Sequence, residues 1–126
     1  MEAEILKYLY DIKDATAAIL KFVQDKTYDD YREDDLLKSG VERKFEIIGE
    51  ALNRIKRNNL QILDKIRDHR SIISFRNILA HDYNSVDHTI VWGIIEENLD
   101  NLYADVVKLL EEAEQKNKSL TNDPFP

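Results

Sequence analysis

Apolar residues recur at steps of three and four along most of this chain. Ile5, Leu6, Tyr8, Leu9, Ile12, Ala15, Ile19, Phe22 and Val23 fall on one face of a 3.6-residue period, which predicts a helix over about Glu2–Gln24. Residues 25–35 are polar and acid-rich, and predict a loop with a helix N-terminus among the acids, where carboxylates complement the helix dipole. A second long helix is expected from about Tyr31 or Asp34 to Asn58, with Leu37, Val41, Phe45, Ile48, Leu52 and Ile55 as its stripe. Gly49 interrupts that stripe at a cost of about 1 kcal/mol against Ala, which points to close helix–helix approach. A short helix or turn holding Leu60, Ile62, Leu63 and Ile66 follows, then a helix over about Ser71–Ala80. Asp82, Asn84 and Ser85 make a polar break. Ser85 is the expected N-cap of the last helix, with Asp87 in its first turn. That helix runs through Ile90, Val91, Ile94, Ile95, Leu99, Leu102, Val106, Leu109 and Leu110 and is expected to fade near Glu114. The pattern predicts an all-α, up-and-down helical bundle over residues 1–114 and a polar, mobile tail over 115–126.

Composition narrows the picture further. The chain's 126 residues suit one domain, and 43% apolar with 34% charged residues suits neither a disordered nor a membrane-embedded chain. With only 3 Gly, and with both prolines in the last three residues, few turns are available for an all-β fold. Cysteine is absent, which removes disulfides and thiol chemistry and fits a cytoplasmic setting. The acidic start, Met1-Glu2-Ala3-Glu4, does not read as a signal peptide, and no run of about 18 apolar residues is present to span a bilayer.

The net charge is -7, which argues against a nucleic-acid binder until its distribution is considered. Residues 41–81 hold nine basic residues against five acids, so the middle is +4 and the flanks together are -11. Such a middle either attracts phosphate or is a set of solvated helix faces. The histidines are His69, His81 and His88, and none has a His or Glu partner four residues on. No metal site and no cofactor is therefore expected.

Chemistry concentrates in Arg76-Asn77-Ile78-Leu79-Ala80-His81-Asp82-Tyr83. A purely structural role is available to each residue: His at a helix C-terminus, Arg in an ion pair, Tyr packed with a wet hydroxyl. The functional reading is metal-free RNA cleavage. His81 can move a proton at neutral pH, and Arg76 offers a permanent planar fork for phosphate. Residues five apart on an ideal helix are rotated by about 140°, so the pair needs the length of Arg, unwinding at His81, or a second copy of the chain.

Arg, four residues, His, one residue, Tyr is the signature of HepT-like toxins of the HEPN superfamily, and Arg76, His81 and Tyr83 fill it. Asn77 is the polar residue favoured after the Arg. Ile47-Ile48-Gly49-Glu50-Ala51-Leu52-Asn53-Arg54-Ile55 also resembles this family, and the helical layout is similar over residues 1–114. The resemblance implies an all-helical homodimer whose two signatures face a shared cleft. It also implies a metal-independent endoribonuclease of a toxin–antitoxin pair. Arg76 and His81 would be catalytic, Asn77 supporting, and Tyr83 the acceptor of AMP from an MntA-type nucleotidyltransferase antitoxin. A non-catalytic HEPN-like module that binds nucleotide or a partner is the alternative.

Overall fold

The computed structural model describes the backbone of residues 1–74 and 86–121 and the side chains of residues 1–74 and 86–116. All the regular structure there is helical, as expected from the periodicity. The elements are α1 (Ala3–Phe22), α2 (Tyr28–Glu33), α3 (Asp35–Asn58), α4 (Leu60–Asp64), a helical segment over 69–74, α5 (His88–Glu97) and α6 (Leu99–Thr121). No helix among the described residues is long and apolar enough to cross a membrane.

The core is built from the predicted stripes. α1 buries Ile5, Leu9, Ile12, Ala15 and Ile19, and α3 buries Val41, Phe45, Ile48, Ala51, Leu52 and Ile55. α6 adds Leu99, Leu102, Val106, Leu109 and Leu110. α1 packs most extensively on α3 and then on α6. Phe22, at the end of α1, meets Gly40 near the start of α3, while Tyr8 interacts with Arg54 near its end, so the two helices are antiparallel. α6 packs on α1 and α5, the start of α5 meets α3 through His88 and Glu42, and Asp105 of α6 holds Arg67 in the turn after α4. Gly49 is buried in α3.

Local chemistry sets the joints. Asp25 adopts a φ of 61° as the chain leaves α1, a left-handed position more often given to Gly and tolerated by Asp. The acid-rich stretch contains α2, a helix that the periodicity did not predict. Its start is a capping box: the Asp30 N–H donates to Thr27 Oγ1 at 3.1 Å, and the Thr27 N–H donates to Asp30 Oδ2 at 2.9 Å. Asp34 caps α3 by accepting from the Leu37 N–H at 3.0 Å, which settles the start of that helix. Asn59 ends α3 and caps α4.

The last helix differs from the prediction in three ways. Asp87, not Ser85, is the N-cap of α5, because Asp87 Oδ1 accepts from the Thr89 N–H at 2.9 Å. The helix is jointed at Asn98, whose N–H still reaches the Ile94 carbonyl while its own carbonyl accepts from Leu102. It also continues to Thr121, beyond Glu114, through Gln- and Lys-containing sequence that favours helix.

Candidate functional site and its frame

Arg76, Asn77, His81 and Tyr83 lie in residues 75–85, outside the described residues. The structure does describe the two anchors at which the chain enters and leaves that segment.

The entry anchor is an ion pair between distant parts of the chain. Arg67 Nη2 lies 2.9 Å from Asp105 Oδ1, Arg67 Nε lies 3.1 Å from Asp105 Oδ2, and the Arg67 backbone N–H donates to Oδ2 at 2.9 Å. One carboxylate therefore holds both a side chain and a main-chain turn against α6. Burial pushes the Asp105 carboxyl up, but the Arg67 side chain and backbone together outweigh it and hold it below the usual carboxylate range. Asp68 then takes a φ of 65°, and its carbonyl accepts from the Ile72 N–H. Ile66 and Ile72, both buried, seat the turn and the 69–74 segment on the core.

The exit anchor joins three helices. Val86 packs against the core, and Asp87 holds the first turn of α5 through the Thr89 N–H and hydroxyl. Those Thr89 bonds keep the Asp87 carboxyl below its ordinary range. His88 Nδ1 then lies 3.4 Å from the Tyr31 hydroxyl and 3.8 Å from Glu42 Oε1. Its ring stands edge-on to Tyr31 with centroids 5.8 Å apart, and Trp92, one turn on, stacks at a tilt 5.4 Å from the same Tyr31. Tyr31 is fully buried; burial, and then Glu42, push its hydroxyl above the ordinary phenol range. Burial likewise raises the Glu42 carboxyl, against the pull of His88 and Lys38. The neutral ring protonated on Nε2 can accept from Tyr31 at Nδ1, and the protonated ring meets Glu42 as an ion pair.

Arg67–Asp105 thus fixes the chain before residues 75–85, and Tyr31, Glu42 and His88 fix it after them. Sequence reasoning missed these anchoring residues. Asp105 sits in an ordinary amphipathic helix with nothing local to mark it. His88 stood out only as one of three histidines, and its partners lie 57 and 46 positions away. The second stretch named from the sequence, Ile47–Ile55, buries Ile48, Ala51, Leu52 and Ile55, half-buries Ile47, and leaves Glu50 and Arg54 paired at 3.0 Å. Among the described residues no group of His, Asp and Glu is arranged to hold a metal ion.

Comparison with known proteins now assigns the family. The description "Ribonuclease HepT-like" matches residues 12–109, which span both anchors and the whole Arg76–Tyr83 segment. The chain belongs to the HepT-like family. One of its relatives, "Probable ribonuclease HepT" of Thermococcus cleftensis, is 31% identical over 81% of this chain and 92% of its own length. A "Putative RNase" of Methanocaldococcus jannaschii is 26% identical over 82% of this chain and 94% of its own. A "Putative RNase" of Caldanaerobacter subterraneus subsp. tengcongensis is 26% identical over 82% and 92%. No solved structure matches the chain. The all-α bundle expected from the HepT-like resemblance is the fold observed.

Proposed function

We propose that this HepT-like protein is a metal-independent endoribonuclease toxin that works as a homodimer and is silenced by AMP transfer to Tyr83. The observation that carries the reading is an intact Arg76…His81-x-Tyr83 signature within the family match. The two anchors support it, since a segment that must place Arg and His to within a fraction of an ångström needs fixed ends. His81 acts as general base and takes the proton of a 2′-hydroxyl. The freed oxygen attacks the adjacent phosphorus, the bond to the 5′-oxygen breaks, and that oxygen takes a proton from water, leaving a 2′,3′-cyclic phosphate and a 5′-hydroxyl. Arg76 steadies the charge that builds on the phosphoryl oxygens, and Asn77 supports that geometry.

The two signatures share a cleft between protomers in this reading, which relieves the mismatch between Arg76 and His81 on one helix. The MntA-type nucleotidyltransferase partner supplies the off-switch. The Tyr83 hydroxyl attacks the α-phosphorus of ATP, pyrophosphate leaves, and the AMP group adds negative charge and bulk where RNA phosphate must sit. Expression of the protein should arrest growth and cleave cellular RNA. His81→Ala and Arg76→Ala should each lower the cleavage rate by about 10²–10⁴-fold with helicity unchanged. Cleavage should persist in excess EDTA. A fully active His81→Ala protein, or RNA left intact by the wild type, would overturn the proposal.

A further inference from the structure

Residues 54–70 hold six cations (Arg54, Lys56, Arg57, Lys65, Arg67 and Arg70) against two acids, Asp64 and Asp68, in a chain of net charge -7. The structure gathers them where the end of α3, α4 and the turn before the 69–74 segment meet. Two of the six are committed, Arg54 to Glu50 and Arg67 to Asp105. Lys56, Arg57, Lys65 and Arg70 are exposed and form no ion pair among the described residues. Arg70 and Lys56, together with Asp64, lie close enough to His69 for their charges to act on it, and α3 packs against α4. Lys65 also lines one groove with Asp105, Lys108, Leu109 and Glu112 of α6, where the acids balance the cations, so the open side of the cluster is that of Lys56, Arg57 and Arg70.

Helix electrostatics explain only part of this arrangement. Lys56 and Arg57 close α3 and Lys65 caps α4, positions where a cation complements the helix dipole. Arg70 is the second residue of the 69–74 helical segment, near an N-terminus, where the dipole disfavours a cation. Burial, and then Arg70, hold the His69 imidazole below its ordinary range, so it stays neutral at pH 7 and adds no charge of its own. Exposed cations with no ion pair among the described residues, one of them against a helix dipole, are what a polyanion would stabilise.

We infer that Lys56, Arg57, Lys65 and Arg70 form a track for the phosphate backbone of single-stranded RNA. The inference rests on the ribonuclease reading. It also accounts for how so acidic a protein attracts RNA: a local +4 stretch provides the contact while the acidic flanks repel the strand elsewhere. The acidic surface of a protein partner is the competing occupant. It is disfavoured because isolated lysines and arginines spread over three structural elements suit a flexible strand better than a fixed set of carboxylates.

The test uses full-length protein carrying His81→Ala, so that RNA stays intact, and a fluorescein-labelled single-stranded RNA whose anisotropy is followed across 50–200 mM KCl. A variant with Lys56, Arg57, Lys65 and Arg70 all changed to Gln is compared with a control in which Lys13, Lys21, Lys26 and Arg32 are changed to Gln. Both lose four charges, and circular dichroism checks that both are folded. The track variant should bind at least about tenfold more weakly at 50 mM KCl, with a log–log salt slope shallower by about 3, or about 0.7 for each lost phosphate contact. The control should stay near the parent. Equal losses in both variants, or none in either, would overturn the track. So would a track variant that keeps RNA affinity but no longer binds the nucleotidyltransferase. If the unmodified protein neither binds nor cleaves RNA, the ribonuclease reading itself fails, which is a different result from any of these.

Discussion

At the scale of the residue, function turns on where a few polar side chains stand relative to helix ends. Tyr83 follows His81 by two positions and has the polar neighbours Asp82, Asn84 and Ser85. Incubation with the cognate nucleotidyltransferase, ATP and Mg²⁺, followed by peptide mass spectrometry, should place adenylyl groups on Tyr83 and abolish cleavage in the modified fraction. Tyr83→Phe should fold and take no adduct. Adducts on Tyr103 instead would break the switch. The signature residues were legible in the sequence because their spacing is a pattern of types and gaps. Tyr31, Glu42 and His88 were not, since a contact between residues 46 to 57 apart leaves no trace in local spacing. Thr27 and Asp30 show a subtler case: Asp30 does the work usually given to Glu or Gln at that capping-box position, and so α2 looked like loop.

At the scale of the element, two anchors fix the chain on either side of residues 75–85. Asp105 offers the cleaner probe, because one carboxylate serves both the Arg67 fork and its backbone N–H. Its folded pKa lies below the ordinary 3.8, so the stability it contributes is present above that pH and is lost as pH falls through the lower folded value. Asp105→Asn should therefore lower the melting temperature at pH 5–7. The gap from wild type should close as the solution is acidified below about pH 3.8. A gap that persists unchanged in acid would mean that the carboxylate charge is not what anchors Arg67. The long helices were legible because burial on one face imposes a 3.6-residue period. Their joints were less so: Asp87 displaces Ser85 as the cap, and the Asn98 joint disturbs the hydrogen bonding too little to break the apolar stripe.

At the scale of the whole molecule, the described surface keeps large apolar side chains in solvent: Tyr10, Phe22, Leu36, Leu60 and Ile90. Leu36 is 85% exposed and Ile90 51%. A homodimer burying on the order of 1,200–2,000 Å² would cover part of this surface. Light scattering at micromolar concentration should return twice the 14.8 kDa chain mass. A stable monomer that still cleaves RNA would remove the shared cleft. Charge is a second property of the whole chain, and here the net value misleads, because a basic stretch of 17 residues sits between acidic flanks.

The central claim is that this chain cleaves RNA by turning the substrate's own 2′-hydroxyl into the nucleophile, with His81 taking the proton. The most direct measurement compares one oligoribonucleotide with its 2′-O-methyl counterpart, both incubated with the wild-type protein in excess EDTA and analysed by mass spectrometry. The predicted result is cleavage of the ribose strand to fragments ending in 2′,3′-cyclic phosphate and 5′-hydroxyl, with the methylated strand intact. Equal cleavage of both strands, or fragments carrying a 5′-phosphate, would contradict it.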